Sequence, residues 1–404
     1  MSVRALCIVR FDCALMIEKR CRILSKEEVL IVIGNLDRGG AEVHLSHVMP
    51  ELVKEGFNIK IFLLNSLGTL APLVSAKGVT LIKPWAQGPC EPKTMRLLKL
   101  LWNSLHLFFY LLFRRPAIVH FFLPRNYLIG GLLSVLAATR VRLMSRRSMN
   151  YYLNKFPPVV RRFEYWLHTK MHGILGNSRK VIAQLQEEEG VPAQKTQLIY
   201  NGITLHRTRT VDVRADLAIP QESVLLVMVA NLIPYKGHAD LIAALAGMKL
   251  DQRWDLLLVG NDTSALQADL QEQVTAGQIV DRVHFLGSRE DVADILPACD
   301  IGLLTSHEEG FSNAVLEGMG SGLAMVVTDV GGNAEAVLHE QTGLVVSPHA
   351  PDEIRDAVAR LIADEGVRQS YGLAAQKRFE ENFRLEACVQ AYADFYSGLL
   401  KGTA

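Results

Sequence analysis

Several features are scarce in this sequence, and each scarcity closes off a class of function. The six cysteines (Cys7, Cys13, Cys21, Cys90, Cys299, Cys388) include no pair two residues apart, so the zinc-type ligand spacing is missing. They read as reduced thiols of a cytosolic protein. Charge is balanced, 43 Lys and Arg against 42 Asp and Glu, which gives no global attraction to nucleic acid. No G-x-G-x-x-G follows an apolar strand, which argues against a nicotinamide or flavin enzyme. No aspartate-rich motif for a divalent cation stands beside the elements described below, so no metal or other cofactor is expected. Arg10, Asp12 and the Glu18-Lys19-Arg20 run interrupt any signal-type apolar core, and residues 1–27 read as an extension without an assignable role.

What is present is apolar and periodic. At 404 residues and 49% apolar content the chain is too long for one ordinary core and reads as two globular domains. Short unbroken apolar runs alternate with helix-compatible segments. The first half has them at 29–36, 59–65, 79–84, 117–123, 173–178 and 197–202. The second half has them at 224–232, 255–260, 283–287, 301–306, 324–330 and 344–346. Unbroken rather than alternating strands belong to parallel sheets covered on both faces. Two such blocks imply an α/β protein of two doubly wound, Rossmann-like domains, with a seam in the polar segment 203–222 and a terminal helix near 385–401. Ligands in such sheets bind at the carboxyl ends of strands, which puts the reaction in a cleft between facing domains.

The most informative stretch is SHEEGFSNAVLEGMGSG, 306–322. Glu309 and Glu317 stand eight positions apart around Gly310, Phe311, Ser312 and Asn313, just after the apolar run IGLLTS. Asn313 is the expected N-cap of a helix carrying Glu317, and its free backbone N–H groups would suit an anion. Two solvated glutamates at a helix start are the plain alternative. Lys236-Gly237 lies where the loop after 224–232 turns into a helix, so its ammonium can meet a diphosphate, although most Lys-Gly pairs are surface turns. Gly39-Gly40 follows the first strand, ahead of a helix beginning near Ala41-Glu42, and could let backbone amides approach a phosphate or sugar. His120, in the strand 117–123, is expected toward its carboxyl end and reads either as a hydrogen-bonded core residue or as a cleft-facing one.

Two stretches suggest a surface role. The run 97–113, LLKLLWNSLHLFFYLLF, contains Lys99, Asn103 and His106 and is marginal for a bilayer span. It reads as a helix covering the sheet, or as one lying in a membrane interface between Arg96 and Arg114-Arg115. The segment 140–170 carries Arg140, Arg142, Arg146, Arg147, Lys155, Arg161, Arg162 and Lys170 against only Glu164. That is either solvated helix surface or a patch for a diphosphate-lipid acceptor or an anionic membrane.

The GGAE loop at 39–42, the His120 strand, Lys236-Gly237, the Glu309-to-Glu317 spacing and the DVGG turn at 329–332, in this order, resemble the retaining GT-B glycosyltransferases of family 4. The resemblance covers nearly all of the chain from Val29. It implies a GT-B fold: an acceptor domain over 28–203 joined by the C-terminal helix 385–404, and a nucleotide-sugar donor domain over 204–384. It implies that Glu309 orients the donor sugar, Glu317 holds the ribose, Lys236 meets the diphosphate, and the loop from Leu286 to Arg289 lies by the nucleobase. Gly39, Gly40, Asn231, Gly310, Phe311, Ser312 and Asn313 complete the implied donor contacts, and His120 joins Glu309 and Lys236 as a catalytic candidate. Two positions depart from the pattern: Asn231 stands where the family usually has arginine, and Phe122 where many members have a second histidine. The implied partners are a nucleoside-diphosphate sugar and a lipid-linked or glycan acceptor, with no nucleic acid. The implied setting is bacterial polysaccharide or lipopolysaccharide assembly at the cytoplasmic face of the inner membrane. A nucleotide-sugar 2-epimerase of the same architecture and a non-catalytic scaffold are the alternatives.

Overall fold

The computed structural model describes residues 27–88, 93–205, 212–250 and 252–401. The N-terminal extension, apart from Glu27, lies outside them, as do Cys7, Cys13, Cys21 and Cys90. Two compact units result. Among the described residues, one comprises those of 27–176, 182–199 and 388–401; the other comprises 177–181 and those of 200–387.

The first unit holds a seven-stranded parallel sheet, ordered β3-β2-β1-β4-β5-β6-β7. Its strands are β1 (Glu28–Ile33), β2 (Asn58–Leu63), β3 (Thr80–Ile82), β4 (Ile118–Phe122), β5 (Val141–Arg146), β6 (Gly173–Gly176) and β7 (Thr196–Leu198). The second unit holds a six-stranded parallel sheet, ordered β10-β9-β8-β11-β12-β13. These are β8 (Val224–Val229), β9 (Trp254–Val259), β10 (Val283–Gly287), β11 (Ile301–Leu304), β12 (Ala324–Thr328) and β13 (Gly343–Val346). Val29 through Ile33 and Leu256 through Val259 are buried along their whole length, because helices cover both faces, as unbroken apolar strands require.

Seven of the covering helices matter below: α1 (Gly40–Lys54), α2 (Lys93–Arg114), α3 (Pro158–Lys170), α4 (His238–Ala246), α5 (Asn313–Gly320), α6 (Pro351–Ala363) and α7 (Leu385–Lys401). Where the chain enters the second unit it is zipped to where it leaves: Ile203 N–H donates to the Phe383 carbonyl (3.1 Å) and Leu385 N–H to the Ile203 carbonyl (3.0 Å). From Cys388 onward, α7 belongs to the first unit. Its Tyr392 and Tyr396 are buried there.

The strand β5 is absent from the apolar runs of the sequence, because it reads VRLMSR. Its polar positions are satisfied internally. Arg146 is buried, and its guanidinium lies 2.8 Å from Glu164 on α3 and 2.8 Å from Glu189. Tyr152 also donates to Glu164, and His168 Nε2 lies 2.8 Å from Glu189. Arg147 hydrogen-bonds Tyr392 of α7. The basic segment therefore divides. Arg146 pairs with two carboxylates inside the fold, one of them outside the stretch whose charges suggested a patch, while Lys155, Arg161, Arg162 and Lys170 are exposed.

The helix α2 also has two characters. Leu107 and Leu111 are buried, and His106 and Tyr110 pack edge-on against Phe62 of β2. Asn103 donates to the Leu64 and Ala86 carbonyls and accepts from Ala86 N–H. The opposite face leaves Leu97, Leu98, Leu101, Trp102 and Phe113 exposed. No helix among the described residues is long and apolar enough to cross a membrane.

Candidate active site

In the second unit, the loops at the carboxyl ends of β8, β11 and β12 converge. The chain leaves β8, makes a short turn at Pro234–Lys236 and reaches Gly237 in a left-handed conformation (φ +74°). A Cβ at Gly237 would collide with the Thr305 carbonyl oxygen. The same glycine's carbonyl accepts from the Thr305 hydroxyl (2.9 Å). This close approach brings Lys236 beside the loop after β11. Its ammonium donates to Glu309 Oε1 at 2.6 Å, and Ser306 Oγ donates to the same oxygen at 2.8 Å. Both charged side chains are largely covered but retain access to solvent. The DVGG turn closes the loop from the other side. Gly331 (φ +50°) sits against the Glu309 carbonyl, where any Cβ would clash, and Gly332 N–H donates to the Gly310 carbonyl (2.8 Å).

The helix α5 begins at Asn313, so Ser312 is its N-cap and Asn313 its first helical residue, one position later than the expected cap. The Asn313 side chain is directed elsewhere: its Oδ1 accepts from Asn201 Nδ2 at 2.8 Å. No side chain caps the first turn, which leaves its amides suited to an anion. Glu317 stands one turn in. Burial pushes its carboxyl up to about 7. At that value the group is divided between acid and carboxylate near neutrality, and it makes no hydrogen bond within the described residues.

Other expected contacts are placed differently. Phe311 is buried between Tyr200 and Phe383, at ring separations of 5.1 and 5.5 Å. It anchors the loop and does not face a ligand. Asn231 is exposed, but its Oδ1 accepts from the Asn261 N–H (3.1 Å), a loop-shaping bond with no charge to offer a phosphate. Ser306 is the residue that sequence reasoning passed over, although it opens the very stretch that carries Glu309.

In the first unit, Gly39 is the N-cap of α1, whose first helical residue is Gly40, slightly earlier than expected. Glu42 lies in that first turn; burial pushes its carboxyl above the usual range, partly offset by the backbone and by Arg147. His120 is fully buried and both its nitrogens are committed. Nδ1 lies 2.7 Å from the Tyr396 hydroxyl and Nε2 lies 2.8 Å from Ser145 Oγ. Burial, with help from Arg147, lowers its pKa to about 3. This histidine is a neutral clasp joining β4, β5 and α7. The cleft-facing reading is corrected, because no nitrogen remains for a substrate.

The sequence of residues 211–378 matches the model of the glycosyl transferases group 1, and residues 38–207 match that of glycosyltransferase family 4. The chain belongs to this glycosyltransferase family. The N-acetyl-alpha-D-glucosaminyl L-malate synthase of Bacillus anthracis is 28% identical over 52% of this chain and 55% of its own length. The N,N'-diacetylbacillosaminyl-diphospho-undecaprenol alpha-1,3-N-acetylgalactosaminyltransferase of Campylobacter jejuni is 29% identical over 44% of this chain and 45% of its own. The match thus spans about half the length of these curated relatives. The Anabaena protein Alr3699/HepE, solved in complex with UDP-glucose, superposes with a TM-score of 0.79 at 21% identity, covering 92% of this chain and 100% of that one. The two Rossmann-like units and their α7 crossover are thus the GT-B fold.

Proposed function

We propose that the protein is a retaining glycosyltransferase that moves a hexose-type sugar from a UDP- or GDP-linked donor to a lipid-linked or glycan acceptor in bacterial envelope polysaccharide or lipopolysaccharide assembly. The observation that carries this reading is the Lys236–Glu309–Ser306 cluster beside the uncapped α5, with Glu317 one turn further on. Cleaving the sugar–phosphate bond separates an oxocarbenium-like sugar from a diphosphate. Fixed positive potential at the departing oxygens is the main way a protein lowers that barrier. Lys236 and the first-turn amides of α5 provide it, and no divalent cation is needed. Glu309, oriented by Ser306 and Lys236, accepts from donor sugar hydroxyls. Glu317, in its ionised form, accepts from the ribose. As in the family it resembles, the acceptor attacks the face from which the diphosphate leaves, with a diphosphate oxygen taking the acceptor proton.

The exposed face of α2 supports a lipid-side acceptor. It presents Leu97, Leu98, Leu101, Trp102 and Phe113 to solvent, and the helix contains no acidic residue. A helix of this kind rests in the headgroup region of an anionic bilayer. The names of the relatives support the reading in part, since one acts on a diphospho-undecaprenol.

The test is transfer of labelled sugar, in EDTA, from a panel of UDP- and GDP-sugars to undecaprenyl-diphosphate-linked saccharides in anionic vesicles. Donor-dependent product with the anomeric configuration of the donor supports the reading. Interconversion of the donor without acceptor would instead indicate the epimerase. Absence of both, from folded protein, would leave the scaffold.

A further inference from the structure

We propose that Asp240, His307 and His349 form a site for a borderline transition-metal ion of the zinc class, on the second unit and separate from the donor contacts. Three segments distant in sequence supply the ligands: the first turn of α4, the loop after β11, and the loop before α6. His307 Nε2 lies 2.8 Å from Asp240 Oδ2, and His349 Nδ1 lies 3.9 Å from the same oxygen. One ligand atom from each residue falls within 4.8 Å of the others. Tetrahedral ligands at zinc–nitrogen distances of about 2.0–2.1 Å stand about 3.3 Å apart, so rotations of the side chains bring all three into a coordination sphere.

The chemistry of the set is selective. Two imidazoles and one carboxylate suit zinc, cobalt, nickel or copper and give little advantage to magnesium. The imidazole rings lie 3.6 Å apart between centroids. A metal ion would use both rings in their neutral form. The backbone of His349 is held at φ +58°, a left-handed conformation uncommon outside glycine, and it is this turn that carries the ring over His307. Three protein ligands leave a further coordination position for water.

The site also has a mechanical connection. His307 N–H donates to the Tyr235 carbonyl (2.7 Å), next to Lys236, and His307 stands two residues before Glu309. A bound ion therefore ties α4 and the loop before α6 to the loop that carries Glu309.

The test uses full-length protein stripped with EDTA and titrated with Co2+, then Zn2+. The expected results are a visible Co2+ spectrum of nitrogen–oxygen ligation, displaced by one equivalent of Zn2+ and unaffected by millimolar Mg2+, and a Zn2+-dependent rise in Tm. His349 is mostly exposed, so His349→Ala should fold as wild type. It should lose affinity by more than the roughly tenfold that a supporting-shell change costs, as should Asp240→Asn. Sulfur-to-metal charge transfer in the spectrum, or Zn2+ binding equal in both variants and wild type, would overturn the assignment in favour of cysteine ligation elsewhere. Absence of any binding would overturn it outright.

Discussion

The two sheets carry polar groups that have opposite fates. In the middle of β4, His120 is sealed between Tyr396 and Ser145, neutral, with both nitrogens used. Beyond β8 and β11, Lys236 and Glu309 meet each other but keep solvent access, and the Glu317 carboxyl makes no hydrogen bond among the described residues. A polar residue on a sheet strand is thus not by that position a site residue. What distinguishes the second case is bonding capacity left over after the fold has taken its share.

The largest effect should come from breaking the open cluster. Lys236→Ala removes the cation at the departing diphosphate and should lower kcat by roughly 10²–10³, measured by sugar transfer at saturating donor. Glu309→Ala should be comparably damaging, with the far-UV circular dichroism unchanged. The buried pairs of the first unit should respond in stability instead. Arg146→Ala leaves Glu164 and Glu189 in the interior without their shared guanidinium and should cost roughly 3–5 kcal/mol, read from urea unfolding.

Glu317 sharpens the comparison through pH. Its folded pKa, about 7, lies above the ordinary 4.5, so between these values the folded state holds a proton that the unfolded state releases. The associated stability is complete below the lower value and is lost as pH rises through the upper. Glu317→Gln keeps the neutral form throughout. It should therefore be more stable than wild type at pH 8, by at most about 3 kcal/mol, and equal to it near pH 4, by thermal melts at both. His120→Asn should do the reverse of the Lys236 variant. It should cost stability, about 1–3 kcal/mol for buried groups left unpaired, while kcat/KM at a temperature where it is folded stays within about threefold. A loss approaching that of Lys236→Ala would return His120 to the reaction.

These cases also mark what was legible in the sequence. Twelve of the thirteen strands among the described residues coincide with the runs read from the sequence; in the central strands, such as β1, β8 and β9, burial on both faces leaves little choice of residue. The missing one, β5, is polar at Arg142, Ser145 and Arg146. Its guanidinium at 146 is buried only because Glu164 and Glu189 come to it from elsewhere in the chain. The same limit applies within the site. The spacing of Glu309 and Glu317 on a turn and a helix is local and was readable, as was the Lys236 turn. The insertion of Phe311 between Tyr200 and Phe383 and the closure of His120 by Tyr396, 276 residues away, depend on tertiary partners. Period and spacing carry no information about those.

The most direct measurement is calorimetric titration of UDP and GDP, in EDTA, into the wild-type protein and Lys236→Ala. One diphosphate should bind the wild type selectively, and the variant should bind it at least roughly tenfold more weakly, the value of one charge-assisted hydrogen bond. Equal affinity in the two proteins would contradict the assignment of the diphosphate to the Lys236–Glu309 loop.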